Sequence, residues 1–145
     1  MKDKLVARAK KNYRNYQIIS QFRAGIVLTG QEIKSVRHSQ ISLDEAYVRP
    51  FDQELYLINL HIASYQSISS DPRRKRKLLL WRSEITKIMR QLRIKNYVLV
   101  PLQILISQRG WAKVEIALAQ RLRQYQVKEK IKEREIDKKL KNEDY

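Results

Sequence analysis

The chain of 145 residues contains no cysteine. That excludes disulfides, Cys-ligated zinc, iron–sulfur clusters and thiol catalysis, and it fits a reducing compartment. Glycine is nearly as scarce. Gly25, Gly30 and Gly110 are the whole set, so no glycine-rich phosphate-binding loop can be built. The two histidines, His38 and His61, lie apart with no ligand-spaced companions, and no metal site is expected. Acids are outnumbered, and the adjacent pairs Asp44-Glu45 and Glu143-Asp144 point their carboxylates in different directions rather than at one substrate. The residues therefore suggest neither an enzyme nor a bound cofactor. Long apolar runs are missing too. The most apolar stretch, Tyr97 to Ile106, is interrupted by Pro101 and Gln103 and is too short to span a bilayer. Met1-Lys2-Asp3-Lys4-Leu5 lacks the apolar core of a secretory signal. A cytoplasmic protein without membrane contact is expected.

What the chain has is positive charge. Lys and Arg number 31 against 15 Asp and Glu, for a formal net charge of +16. The densest run is Arg73-Arg74-Lys75-Arg76-Lys77, followed at once by Leu78-Leu79-Leu80. Five neighbouring cations repel one another and call for an anionic partner or full solvation. The leucines call for a core. Together they predict a basic loop at the surface of a folded domain, and the phosphate backbone of nucleic acid is the best match for its field. Tyr13, Tyr16, Tyr65, Trp111 and Tyr125 lie in or near basic stretches, where rings can stack on bases. Tyr125 has no evident core to join and is the favoured stacking ring; the others can equally pack beside a core.

Residues 1–14 are basic, weakly patterned and expected as a mobile arm. Residues 15–120 carry the strand signals. Tyr16 to Phe22 and Ile26 to Leu28 read as strands, with Gly25 at a bend or close approach and Gly30 as a terminator. Gln31 to His38 reads as a short helix presenting Lys34, Arg37 and His38. Glu45 to Arg49 and Leu55 to Leu60 read as a hairpin turning at Pro50 to Gln53. Ile85, Ile88, Met89 and Leu92 fall on one helical face, with Ser83 as the expected N-cap. Tyr97 to Ile106 and Lys113 to Leu118 are two more strands, joined tightly at Gly110. The pattern predicts one mainly β domain: a small antiparallel barrel of the oligonucleotide-binding kind, with short flanking helices. Residues 121–145 lack Gly and Pro but have a broken apolar stripe, which predicts a basic tail, disordered alone and helical on a partner.

These segments carry a resemblance. Gly25 to Arg37 resembles the motif AGIxLxGxEVKSxR of the SsrA-binding protein family, also called small protein B. Asp71-Pro72-Arg73 with Arg76 to Leu80 is similar to that family's DPxRxRKLLL, and Ala112 to Ala119 to its AKVEIALAKG strand. The resemblance implies a monomeric, non-catalytic RNA-binding adaptor of trans-translation. It would bind the tRNA-like domain of transfer-messenger RNA and deliver it to stalled ribosomes, its tail becoming helical in the small-subunit decoding centre and mRNA channel. It implies RNA contacts at Glu32, Lys34, Arg37, Arg73, Arg74, Lys75, Arg76, Lys77 and Lys113. Ser35 matches the first motif as well. For Glu32 an internal salt bridge is the alternative. Along the tail it implies decoding-centre contacts at Arg121, Arg123, Tyr125, Lys128, Lys130, Lys132 and Arg134. The chain departs from the pattern at Arg23, where the family usually carries an acid, and in the tail, which lacks the Gly-Lys-Lys and Asp-Lys-Arg groups. The competing expectation is another ribosome-associated rRNA-binding protein or translation factor on the same kind of barrel.

Overall fold

β2 (Tyr16–Ile26), an eleven-residue strand, organises the molecule. It pairs antiparallel with β9 (Ala112–Arg121) along its length, from Tyr16 opposite Arg121 to Gly25 opposite Lys113. At its far end it also pairs with β7 (Arg76–Leu79). The computed structural model describes residues 3–62, 74–94 and 96–143, without the side chains of 124, 125, 130 and 137–143. With β1 (Lys4–Arg8), β4 (Tyr47–Phe51), β5 (Glu54–Ile58) and β8 (Val98–Ile106), these strands form one antiparallel sheet in the order β1-β8-β9-β2-β7-β5-β4. Two short strands, β3 (Ile41–Ser42) and β6 (His61–Ile62), pair separately. The sheet curls until β4 approaches β8. Among the described residues no ladder joins the edge strands β1 and β4, so the barrel stays open. The expected class, mainly β and antiparallel with short helices, is the one observed.

Alternation builds the core. Ala24 and Ile26 of β2, Leu55 and Leu57 of β5, Leu78 of β7, and Val114, Ile116 and Leu118 of β9 all point inward and are buried. α3 (Arg82–Ile94) adds Ile88 from its apolar stripe. α1 (Lys10–Asn15) lies on the opposite face of the sheet, where Tyr13 packs on Val100, Leu102, Ala117 and Ala119. β8 is thus covered on both sides, which is why it reads as a continuous apolar run.

Several expectations are corrected. The described part of the N-terminal arm is paired, not free: β1 hydrogen-bonds to β8, and Val6 and Ala9 are buried. A basic strand shows no alternation signal when only one of its residues points inward. The first strand runs unbroken through Gly25, where Leu79 Cβ would stand 3.4 Å from an added side chain. Gly30 opens α2 (Gly30–Arg37) rather than ending a strand; its N-cap is Thr29. α3 begins before Ser83, and Glu84 accepts the backbone N–H of Trp81. Pro50 belongs to β4, an edge strand that tolerates a missing donor. The turn is the two residues Asp52 and Gln53, at φ +49° and +63°. The tail, expected as helical on a partner, is α4 (Gln124–Glu143), built from good helix formers without Gly or Pro.

Candidate nucleic-acid interface

The run of five cations is not a uniform basic loop. From Arg76 it is a strand, and strand alternation sorts its charges. Arg76 and Leu78 point inward and are fully buried, while Lys77 and Leu79 point outward. The buried guanidinium of Arg76 donates from Nε to Glu32 Oε2 at 3.0 Å, from Nη2 to the same oxygen, and from Nη1 to the carbonyls of Leu60 and Arg74, each at 2.9 Å. Arg74 donates to Glu32 Oε1. Glu32 also closes a capping box: its Oε1 accepts the Thr29 backbone N–H at 2.9 Å, and Thr29 Oγ1 accepts the Glu32 N–H at 3.2 Å. Burial alone would raise the Glu32 carboxyl. The hydrogen bonds from Thr29, Arg74 and Arg76, with the charge of Arg76, outweigh it and hold the group below its ordinary value of 4.5.

Arg76 was expected at the RNA surface, and Glu32 either there or in an internal salt bridge, which is the arrangement observed. Glu32 and Arg76 are buried, at 4% and 0% exposure, and cannot touch a ligand in this conformation. Arg74 is partly taken up by Glu32. Arg73 lies outside the described residues. The exposed cations of the run are Lys75 and Lys77. Lys75 Nζ stands 4.6 Å from the ring centre of Phe51 and 4.8 Å from that of Tyr56, so its position is set by two aromatic faces.

Register extends this patch across the sheet. Lys77 pairs with Tyr56, and Tyr56 with Arg49. Gly25 is flanked by Leu79 on one side and Lys113 on the other. Arg49, Tyr56, Lys77, Leu79, Gly25 and Lys113 therefore share the outer face. Arg49 was missed in the sequence, although the order Tyr47-Val48-Arg49 around buried Val48 carries the signal. Arg23, on the same face, reaches Asp3 Oδ2 and Glu115 Oε1, both at 2.9 Å. Its charge is met within the chain.

Beyond Lys113 the face falls into a groove of about 830 Å³ bordered by Val27, Leu79, Arg109, Trp111 and Lys113. Trp111 is 65% exposed. The β8–β9 turn that presents it is fixed by three bonds, Gly110 N–H to Ser107 O at 2.9 Å, Ser107 N–H to Trp111 O at 2.9 Å and Trp111 N–H to Ser107 Oγ at 3.1 Å. Gly110 sits at φ +85°, and a Cβ there would stand 2.9 Å from Arg37 Nη2. Arg37 thus lies on the turn, while Lys34 is exposed on α2. Of the other stacking candidates, Tyr13 is partly buried beneath Arg8, 4.4 Å from its ring centre, and Tyr16 packs on the α1 side of the sheet. Tyr65 and the side chain of Tyr125 lie outside the described residues.

Arg121 ends β9, and Arg123, Lys128, Lys132 and Arg134 are exposed along the tail. Tyr125 and Lys130 fall within α4, but the side chain of Lys130, like that of Tyr125, lies outside the described residues. Arg134 reaches the Tyr13 carbonyl at 3.4 Å. Among the described residues no three of His, Asp and Glu gather as metal ligands, and no helix is long and apolar enough to cross a membrane.

An open antiparallel barrel with a cationic outer face, aromatic rings among the cations and, among the described residues, one buried carboxylate committed to structure defines a nucleic-acid-binding protein. The particular kind follows from its relatives. The family model described as SmpB protein matches residues 6–144, and the chain belongs to that family. It is 39% identical to the SsrA-binding protein of Pseudothermotoga lettingae over 94% of each chain. It is 42% identical to that of Sulfurihydrogenibium sp. over 97% of this chain and 93% of the relative. A solved structure described as "tmRNA-SmpB: a journey to the center of the bacterial ribosome" matches with a TM-score of 0.63 and 38% identity. It covers 90% of this chain and 93% of the other.

Proposed function

We propose that this protein is an RNA-binding adaptor of trans-translation. It binds the tRNA-like domain of transfer-messenger RNA and brings it to stalled ribosomes for rescue and tagging of the nascent peptide. The observation that carries this reading is family membership over residues 6–144, in a chain whose outer sheet face holds cations in register. Lys34, Arg37, Lys75, Lys77 and Lys113, with Arg49, meet the RNA backbone. Such contacts position a ligand without reading its sequence. Glu32 and Arg76 act from beneath by fixing β7, which carries Lys77 and follows directly on Lys75. Arg74 precedes that strand, and Arg73 and Arg74 add to the phosphate contacts. The end of β9 and α4 carry Arg121, Arg123, Tyr125, Lys128, Lys130, Lys132 and Arg134 toward the small-subunit decoding centre and the mRNA channel. The protein works by binding, without a cofactor and without turnover.

The test is affinity for a tRNA-like fragment against ordinary tRNA and duplex RNA over a salt series, together with a rescue assay on ribosomes stalled on a message without a stop codon. Selective binding that persists as salt rises, with rescue lost when residues 122–145 are removed, is the expected result. Equal binding to all three RNAs, collapsing together with salt, would leave a basic barrel without this role.

A further inference from the structure

Resting on the RNA-binding reading, we propose that the groove beside Trp111 takes one unstacked nucleobase of the bound RNA. The Trp111 indole is the stacking surface, and Arg109 and Lys113 hold the phosphates on either side. Four observations carry this. Trp111 is 65% exposed, and its backbone N–H and carbonyl are both bonded to Ser107, so the turn that presents the ring is held. The groove is apolar where a base presents its faces, through Val27, Leu79 and Ile33, and polar at Ser107 and Gln108, where a base presents its edge. At about 830 Å³ it has room for a nucleobase together with its sugar and phosphate, and not for a folded partner. Its basic residues, Arg109 and Lys113, continue the cationic outer face, and the one acid lining it, Asp3, is paired with Arg23. An acidic protein segment would satisfy the charge but would leave the ring and the edge groups unused.

The turn makes the site rigid. Gly110 leaves room for Arg37, and Arg37 packs against the backbone just before Trp111. A turn held in place leaves only the Trp111 side-chain rotamer to be ordered on stacking.

The full chain carrying Trp81→Phe has Trp111 as its sole indole. It is titrated with a tRNA-like fragment and with copies bearing one abasic nucleotide at each unpaired position in turn. The expected result is quenching of Trp111 emission on binding, and one abasic position that both removes the quenching and lowers affinity roughly tenfold. Trp111→Ala should lower affinity by the same factor and show no further loss with that abasic RNA, and Trp111→Phe should restore most of the binding. Selective binding by the Trp81→Phe parent with no quenching, or with affinity unmoved by Trp111→Ala, would overturn the inference alone. So would a Trp111→Ala loss that adds independently to the loss at every abasic position. A parent that fails to prefer the fragment over duplex RNA would overturn the adaptor reading and this inference together.

Discussion

At the scale of single residues, Glu32 and Arg76 decide more than the cations that surround them. The salt bridge of Glu32 was one of its two readings from sequence; the inward place of Arg76 was not legible. Arg76 stands in a run of five cations, and a chain read residue by residue gives no sign that one of them faces inward. Only the strand period, set by pairing with β5 and β2, turns it into the core. Glu32→Gln retains a side chain able to complete the capping box but leaves the Arg76 guanidinium buried without its counter-charge. The expected cost is about 3 kcal/mol or more, read as a lowered urea midpoint. Combining it with Arg76→Met should cost less than the two changes summed. The same carboxyl gives a pH signature. Its folded value lies below the unfolded 4.5, so the unfolded chain binds more protons as acid is added. The stability that Glu32 contributes is present above 4.5 and is lost as pH falls through the folded value. Denaturation midpoints from neutral pH downward should fall more steeply in the wild type than in Glu32→Gln.

At the scale of elements, β7 and the β8–β9 turn are the parts that present charge and ring. Replacing Lys75 and Lys77 together by Ala should weaken RNA binding and reduce the slope of log affinity against log salt by about one for each lost phosphate contact, with the thermal midpoint nearly unchanged. An unaltered slope would remove this strand from the interface. Gly110→Ala meets both a left-handed backbone and the Arg37 guanidinium; it should destabilise by about 1–2 kcal/mol, measured in urea. The elements were unevenly legible. α2, α3, the β4–β5 hairpin and the β8–β9 pair announced themselves by period and turn residues. β1, β3 and β6 did not, being short or charged, and they exist because longer strands offer them an edge. The helix propensity of the tail was legible in its lack of Gly and Pro, and α4 covers Gln124–Glu143 of it.

For the whole molecule, a net charge of +16 on 145 residues means self-repulsion as well as attraction to phosphate. Raising salt should therefore act in opposite directions: the thermal midpoint rises as repulsion is screened, while affinity for RNA falls. Both can be followed on one sample by calorimetry and titration. The fold class was legible because alternation survives in the long strands and Gly110 marks the turn between two of them. The interface was only half legible, since a binding face is assembled from strands far apart in the chain, as Arg49, Lys77 and Lys113 show.

That remoteness also bears on how the protein is made. β2 is complete by residue 26, yet its main partner strand ends at Arg121, opposite Tyr16. For most of synthesis the organising strand has one edge open and cannot close the sheet. Non-local pairing of this kind slows folding toward the millisecond-to-second range and exposes nascent chains to aggregation. A chain cut short before β9 would release β2 with an unsatisfied edge, so truncated forms of this protein should be insoluble even when most of the sequence is present.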